Sequence, residues 1–593
     1  MSDAPLGLAE ATAQLTAPGQ IFEMDTAVIR GEELRVWKHA PATLRVVFDL
    51  SQGHGAADFV VYEDERMSFE QHHALAATLA ARLVELGVQR GDRVAIAMRN
   101  LPEWVVSFWA TVVAGAVVVP LNAWWTSDEL AYGLADCSAR VVVCDLERLE
   151  RIAPHLSSLD ALGDVIAVDE LRKDRAPSPQ IEGARVHRWY GLLGEVADDP
   201  APPVVDVDPD DDATIFYTSG TTGRPKGAVG THRNACTNLM NLFFIATRSQ
   251  VRYGDPGSGS GVQNSFLMSV PLFHATGCLA SMVVNAASGG KIVMMHHFDP
   301  ERALELIERE RVTLFGGVPT MALQILDSPA FDATDTSSVR GVSYGGAPAP
   351  PELVKRIKAA FPDGQPGNGY GLTETSAATS MNTGPDYVER PDSVGTAVPV
   401  TDVAVVPEDF SGTEPDVDRP QGPDVTGELW VRGPQVVRGY WHRPEETALV
   451  FTKGWLHTGD IARIDADGFI YIVDRAKDVI IRGGENVYSV EIEAVLFEHP
   501  DVADCAVIGV PDPTLGEEVG AVVVPRTGRT LDPEELRRFV AGHLARYNVP
   551  TRIWVRDSHL PRNPAGKVLK RQLRDEIVGS PGSPGAAEAP ASS

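Results

Sequence analysis

Along the first half of the chain, short runs of aliphatic and β-branched residues alternate with longer stretches of helical period. GDRVAIAM (91–98) predicts a strand, PEWVVSFWATVVAG (102–115) a helix and AVVVPL (116–121) a strand. LAYGLADCSA (130–139) then reads as a helix and RVVVCD (140–145) as a strand. Strands that are apolar on both faces belong to parallel sheets covered by helices on either side. A second series repeats the design: KIVMM (291–295), a helix from Pro300 to Arg311, VTLFGGV (312–318), another helix and VRGVSYGG (339–346). The pattern predicts an α/β fold with two doubly wound subdomains.

After about Pro391 the texture changes to shorter alternating strands, DVAVV (402–406), GELWVRG (427–433) and GFIYIVD (468–474), which predict a β-rich subdomain over about 391–474. Near Asp474 the pattern resets into a small α/β unit with VEIEAVLFEHP (490–500), CAVIGV (505–510), GAVVVP (520–525) and a helix over 533–547. On that helix Leu536, Phe539, Val540, Leu544 and Tyr547 share one face. The expected organisation is a mobile tail (1–20), a large domain (21–474), a small, mobile C-terminal α/β domain (475–578) and a disordered tail (579–593). Two acidic, Pro-rich stretches, 195–213 and 407–424, read as solvated connections.

Composition narrows the class. At roughly 150 residues per domain, 593 residues make about four units or fewer large ones. With 44% hydrophobic residues the chain can build a core, which excludes a disordered or fibrous protein. Lys and Arg number 52 against 81 Asp and Glu, a formal charge of −29, so nucleic acid and anionic membranes are poor partners. The five cysteines show no C-x-x-C pair and read as reduced thiols. The N-terminus lacks a basic and then apolar signal pattern. The longest apolar stretch, Val105 to Val119, falls short of the roughly 18 residues of a membrane span. A soluble cytoplasmic protein without a transmembrane segment is expected.

The segment IFYTSGTTGRPKGAVGTH (215–232) carries the most chemistry. An apolar strand runs into Thr218, Ser219, Gly220, Thr221, Thr222 and Gly223, then Lys226, and a helix is expected from GAVGTH onward. Glycines let the backbone approach an anion closely, hydroxyls and amides donate to phosphate oxygens, and the lysine adds a point charge. It is not a Walker A loop, because the required Gly-Lys pair is Pro225-Lys226 here.

YTSGTTGRPKG resembles the phosphate-binding signature of the adenylate-forming superfamily, which holds acyl- and aryl-CoA synthetases, peptide-synthetase adenylation domains and beetle luciferases. Further matching segments follow in the family's order: PLFHATG (271–277), YGGAPAP (344–350), NGYGLTET (368–375), GELWVRGPQVVRGYW (427–441), GWLHTGD (454–460), DRAKDVIIRGGENVY (474–488) and PRNPAGKVLK (561–570). The resemblance covers roughly residues 60–575. Gly230 departs from it, standing where relatives usually carry a bulkier apolar residue.

The resemblance assigns roles that the residues alone leave open. NGYGLTET by itself reads as an ordinary helix start with hydroxyl caps. By resemblance Asn368, Gly369, Tyr370 and Gly371 bind the nucleotide, with Tyr370 stacked on adenine, while Thr373 meets the α-phosphate and Glu374 holds Mg²⁺. Gly346 and Ala347 pass beside adenine, although a plain strand-end turn explains them equally well. Asp460, otherwise a turn residue, takes both ribose hydroxyls, and Arg475 reaches the nucleotide. His274, alone a core histidine, moves to the mouth of the carboxylate pocket. Lys567, otherwise a solvated lysine, bridges the carboxylate and the α-phosphate from a mobile small domain. Lys477 takes the hinge position, and Gly483 and Gly484 in RGGEN line a pantetheine channel.

The implied enzyme is an AMP-forming acid–thiol ligase using ATP, Mg²⁺ and coenzyme A on a carboxylic acid, first of all a medium- or long-chain fatty acid. Aryl, alicyclic or polycyclic acids, transfer to a carrier-protein phosphopantetheine, and an inactive nucleotide-binding protein are the alternatives. The oligomeric state is open, a homodimer being among the assemblies allowed.

Overall fold

The structure, a computed structural model, describes residues 5–169, 185–218, 224–254, 262–346, 349, 351–407, 410, 412–415, 425–563 and 566–578. The hydroxyl loop at 219–223, Ala347, most of the acidic 407–424 stretch and the 579–593 tail lie outside the described residues.

Two large sheets form the body. The seven-stranded one runs Lys226–Thr231, Asp212–Thr218, Val117–Pro120, Arg93–Ala97, Val141–Asp145, Asp164–Val168, Arg185–Arg188, parallel except for its first pair. The nine-stranded one has a parallel centre, Gln365–Tyr370, Gly341–Gly345, Leu314–Gly317, Ser265–Met268, Lys291–Met294 and Asp58–Tyr62, with antiparallel strands at both edges. Helices Phe69–Glu85 and Pro102–Val113 lie between the two sheets. Trp104, Phe108 and Trp109 pack there against Val94, Ile96 and Val118 of one sheet and Phe59, Ile292 and Met294 of the other. Each such side chain taken out of water contributes about 2–3 kcal/mol, so this shared layer welds the two halves. Other helices cover the outer faces through Leu130, Leu134 and Ile152 on one side and Leu304, Ile307 and Leu353 on the other. The long apolar stretch is thus a buried helix followed by the strand Val117–Pro120, and among the described residues no helix is long and apolar enough to cross a membrane.

A third, five-stranded antiparallel sheet contains Asp402–Val406, Gly427–Arg432, Trp455–Ile464 and Ile470–Arg475. A fourth is built on the hairpin Val502–Asp512/Gly516–Pro525 and has its own core of Ile492, Leu496, Val507, Val519, Leu536 and Val540. All five cysteines are free and buried.

Three expectations change. Residues 8–15 are a helix rather than part of a mobile tail: Ala11 and Leu15 are buried, and Leu15 packs with Phe22, Trp37 and Phe244. The helix expected over 533–547 stops at Ala541, capped at Gly542, which leaves Tyr547 in a 3₁₀ turn and 44% exposed instead of on the apolar face. The segment after the phosphate loop is not a helix start. Lys226–Thr231 folds back as a strand on Asp212–Thr218, and the helix begins only at His232, where Thr231 and Asn234 form a capping box.

That hairpin explains Gly230. It lies opposite Thr214, and a Cβ there would sit 2.8 Å from the Thr214 hydroxyl oxygen. Gly230→Val should therefore lower stability by about 1–3 kcal/mol through overpacking. Urea unfolding checks this, and a variant as stable as the parent would contradict the tight approach.

Candidate active site

The site gathers at the C-terminal ends of parallel strands, where open α/β sheets place their ligands. Gly341–Gly345 delivers Gly346, and Gln365–Tyr370 delivers Asn368, Gly369 and Tyr370. The chain must turn hard here. A Cβ on Gly371 would lie 1.7 Å from the Ala377 carbonyl oxygen, so only glycine fits. The turn Thr373–Thr375 then ends in two non-glycine residues of positive φ, Ser376 (55°) and Ala377 (100°). Such strain persists only where surrounding contacts hold it. Ser376 Oγ donates to the Gln435 carbonyl (2.9 Å), and the Ala378 amide donates to Asn238 Oδ1 (3.0 Å). Thr373 and Glu374 are thereby fixed at the strand end.

The third sheet supplies the other wall. Asp460 and Arg475 face each other across Trp455–Ile464 and Ile470–Arg475. Tyr370 donates its phenol to Asp460 Oδ2 (2.7 Å), and Arg475 Nε lies 3.3 Å from Asp460 Oδ1. Burial, reinforced by the Asp460 charge, pushes the Tyr370 phenol far above its ordinary range, so it stays neutral. The turn before Asp460 is pinned by Thr458, whose hydroxyl bonds the Leu429 carbonyl (2.6 Å), and by Glu428 accepting from the Gly459 amide (2.8 Å).

Tyr440 was not among the expected site residues. It donates to Glu374 Oε1 (2.7 Å), and Lys226 Nζ lies 5.2 Å from its ring centroid. It holds Lys226 and the Glu374 carboxylate in one cluster. The GYW wording contained it, but an aromatic beside glycine gives no signal of its own. Thr218 closes the hairpin opposite Lys226.

Lys567 arrives from the small C-terminal unit. Its turn is closed by the Lys567 amide donating to Asn563 Oδ1 (2.9 Å) and the Asn563 amide donating to the Lys567 carbonyl (2.9 Å). Gly566, at φ +79°, seats the turn on the body so closely that a Cβ would lie 2.6 Å from Val318 Cγ2. A Cβ on Gly346 would be 3.6 Å from Lys567 Cε. Burial brings the ammonium down to a pKa of about 8, helped by the charges of Arg475 and Lys477 and opposed by Asp460 and Glu374. His274 stands beside it, its Nε2 buried with no hydrogen-bond partner among the described residues, and its pKa is pulled down to about 4 by burial and by the Lys567 charge. It is a neutral imidazole. Lys477 is likewise held below its ordinary value by burial and by Arg475, with Asp478 opposing.

The structure therefore brings Lys226, His274, Gly346, Tyr370, Glu374, Asp460, Arg475, Lys477 and Lys567 into one cluster. Gly483 and Gly484 stay apart, exposed at the tip of the hairpin Ile480–Arg482/Glu485–Val487 with φ of +62° and +91°. Arg482 beside them is neutralised by Glu518 at 3.0 Å. For a divalent ion the fit is simple. One oxygen of Glu374 is taken by Tyr440 and the other accepts no hydrogen bond among the described residues, and no group of three or more His, Cys, Asp or Glu gathers there. A hard carboxylate oxygen completed by phosphate oxygens and water is the set magnesium prefers.

Lys226, Arg475 and Lys567 thus gather with Asp460 and Glu374 beside the C-terminal ends of parallel strands, an arrangement suited to a small anionic ligand. A family model described as AMP-binding enzyme matches residues 48–441, and one described as AMP-binding enzyme C-terminal domain matches 491–567. The chain belongs to the AMP-binding enzyme family, and its class is that of an AMP-forming acid–thiol ligase. It is 37% identical to a feruloyl-CoA synthase of Amycolatopsis sp, covering 84% of this chain and 91% of that protein. It is 34% identical to a long-chain-fatty-acid–CoA ligase of Bacillus subtilis, covering 87% and 91%. The solved structure of ATP-bound MatB from Rhodopseudomonas palustris superposes with a TM-score of 0.74 at 30% identity, over 89% of this chain and 99% of that one.

A lysine whose pKa is depressed loses its charge as pH rises through that value. In the free enzyme kcat/KM for acid activation should therefore fall as pH rises through about 8. Lys567→Arg, which stays charged, should be slower but lack this alkaline limb. A limb of the same pKa in the variant would assign it to another group.

Proposed function

We propose that the protein activates a carboxylic acid with ATP and passes the acyl group to coenzyme A, and that its acid is a medium- or long-chain fatty acid. The observation that carries the activation step is the desolvated Lys567 ammonium beside Gly346, Asp460, Glu374 and the neutral His274. A carboxylate oxygen attacks the α-phosphorus, the new O–P bond forms, and the bond to the β-phosphate breaks with release of pyrophosphate. Lys567 meets the negative charge shared by the carboxylate and the α-phosphate. A charged donor aimed at developing charge in a dry site is worth about 10²–10³ in rate. Thr373 contacts the α-phosphate, and the 219–223 loop with Lys226 takes the departing phosphates. Magnesium held by Glu374 would neutralise phosphate charge.

Asp460 suits the ribose. Two carboxylate oxygens offer about four lone-pair sites, and Tyr370 and Arg475 occupy one on each oxygen. Two remain for the ribose hydroxyls. Tyr370, held by its phenol on Asp460, is the ring on which the adenine would stack.

The thiol sulfur then attacks the acyl carbonyl carbon and AMP leaves. Lys567 stands where that chain must approach, so the small unit turns about Lys477 between the half-reactions and brings Gly483 and Gly484 to the thiol path. Their exposure, away from the cleft in this orientation, supports two orientations.

A second reading for the acid, an aryl substrate, is favoured by the 37% identity to a feruloyl-CoA synthase. Pyrophosphate release over a panel of fatty and hydroxycinnamic acids, with and without coenzyme A, decides between them; turnover of the fatty acids at the higher kcat/KM is expected, and exclusive use of aryl acids would overturn that assignment. Lys567→Ala should lose adenylate formation by about 10²–10³ while still consuming a supplied acyl-adenylate with coenzyme A. Equal loss in both half-reactions would contradict its role.

A further inference from the structure

The strand Ile470–Arg475 belongs to the body, where Asp474 faces Ile461 across the third sheet. Its Asp474 carboxylate is nevertheless satisfied largely from the small unit. It accepts the Ser489 amide at 2.5 Å and the Ser489 hydroxyl at 2.8 Å, as well as the Arg475 amide at 2.7 Å. Ser489 opens the helix Ser489–Glu498. Its hydroxyl in turn accepts from Lys570 Nζ at 2.6 Å, and Lys570 pairs with Glu493 at 2.7 Å. Glu493 also accepts the Val507 amide at 2.8 Å. The proton directions are consistent: the ammonium donates to the hydroxyl, and the hydroxyl donates to the carboxylate. Asp474 is 2% exposed and Ser489 0%, so water competes little for the Asp474–Ser489 bonds, while Lys570 and Glu493 are partly exposed.

We propose that Asp474, Ser489 and Lys570 form a latch across the hinge that positions Lys567 for acid activation and opens before thiol transfer. The inference rests on the two-orientation reading above. Asp474 immediately precedes Arg475, the ribose-side arginine, and Lys570 follows Lys567 by three residues, at the start of the helix Lys570–Val578. The chain of bonds ties the nucleotide wall to the arm that carries the catalytic lysine. Between Asp474 and Ser489 the backbone passes Lys477, so turning about Lys477 must break both Asp474–Ser489 bonds. The Lys570–Glu493 pair lies wholly within the small unit and travels with it, its charges still matched. What opens is therefore the Asp474 contact, and the carboxylate left behind regains water. All three are positioning residues, since none is placed against a substrate.

The test uses Asp474→Asn and Ser489→Ala in the full chain, because removing Lys570 would strand the buried Glu493. Single-turnover pyrophosphate release should fall about ten- to hundredfold, the scale of a misplaced catalytic group, while transfer from a supplied acyl-adenylate to coenzyme A is unchanged or faster. Ser489→Thr, which keeps the hydroxyl, should restore most of the first step. In both latch variants without substrates, hydrogen–deuterium exchange over 563–570 and 489–498 should rise, with the body sheets unchanged. Equal loss in the two half-reactions, or exchange identical to the parent, would overturn the latch. The exchange arm needs no substrate, so it decides the matter even if no acid in the panel is activated.

Discussion

An ammonium group taken out of water between two bodies sets the terms for this molecule. Lys567 is carried on the small unit, yet its neighbours, Gly346, His274, Asp460, Glu374 and Arg475, belong to the body. Burial and the cations Arg475 and Lys477 press it to give up its proton; Asp460 and Glu374 press it to keep it. A lysine balanced in this way is poised for an incoming anion. In the proposed reaction a carboxylate and a triphosphate would restore the full advantage of its charge, which in a low-dielectric site is several-fold greater than in water. The same argument answers the global charge of −29, which would repel ATP, coenzyme A and a carboxylate alike. Attraction is local, built from Lys226, Arg475, Lys477 and Lys567, while Arg482 is neutralised by Glu518 and adds little.

Everything else holds those groups at their stations. Two sheets welded through the layer of Trp104, Phe108 and Trp109 fix the strand ends from which Gly346 and Tyr370 emerge. The strained turn at Ser376 and Ala377 survives because Gln435 and Asn238 reach it from other elements. Tyr370, Asp460 and Arg475 connect one sheet to another, and Tyr440 connects Glu374 to Lys226. The wall is thus cross-braced within the body, and the two-orientation reading proposed above asks only the small unit to move.

Much of this was legible in the amino-acid order. Apolar runs such as RVVVCD announce strands buried on both faces, and the motif series locates Asp460, Glu374 and Lys567 without any coordinates. The failures have physical causes. GAVGTH contains residues compatible with a helix start, and only pairing with Asp212–Thr218, a partner on the far side of the phosphate loop, makes it a strand. The periodicity over 533–547 continues past Gly542, but the chain stops being helical there, so Tyr547 falls off the apolar face. Residues 8–15 look dispensable until Leu15 meets Phe22, Trp37 and Phe244, three partners scattered along the chain. Tyr440 and the Asp474–Ser489–Lys570 chain are likewise products of tertiary pairing, since a tyrosine beside glycine or a serine opening a helix carries no local mark of its partner.

The central claim is that this cleft joins a carboxylate oxygen to the α-phosphorus of ATP. Its most direct test is an isotope measurement: a substrate acid labelled with ¹⁸O in its carboxylate is turned over with ATP and coenzyme A, and the products are examined by mass spectrometry. One labelled oxygen in each AMP, with unlabelled pyrophosphate, is the predicted result. Label in inorganic phosphate, with ADP as the nucleotide product, would contradict it.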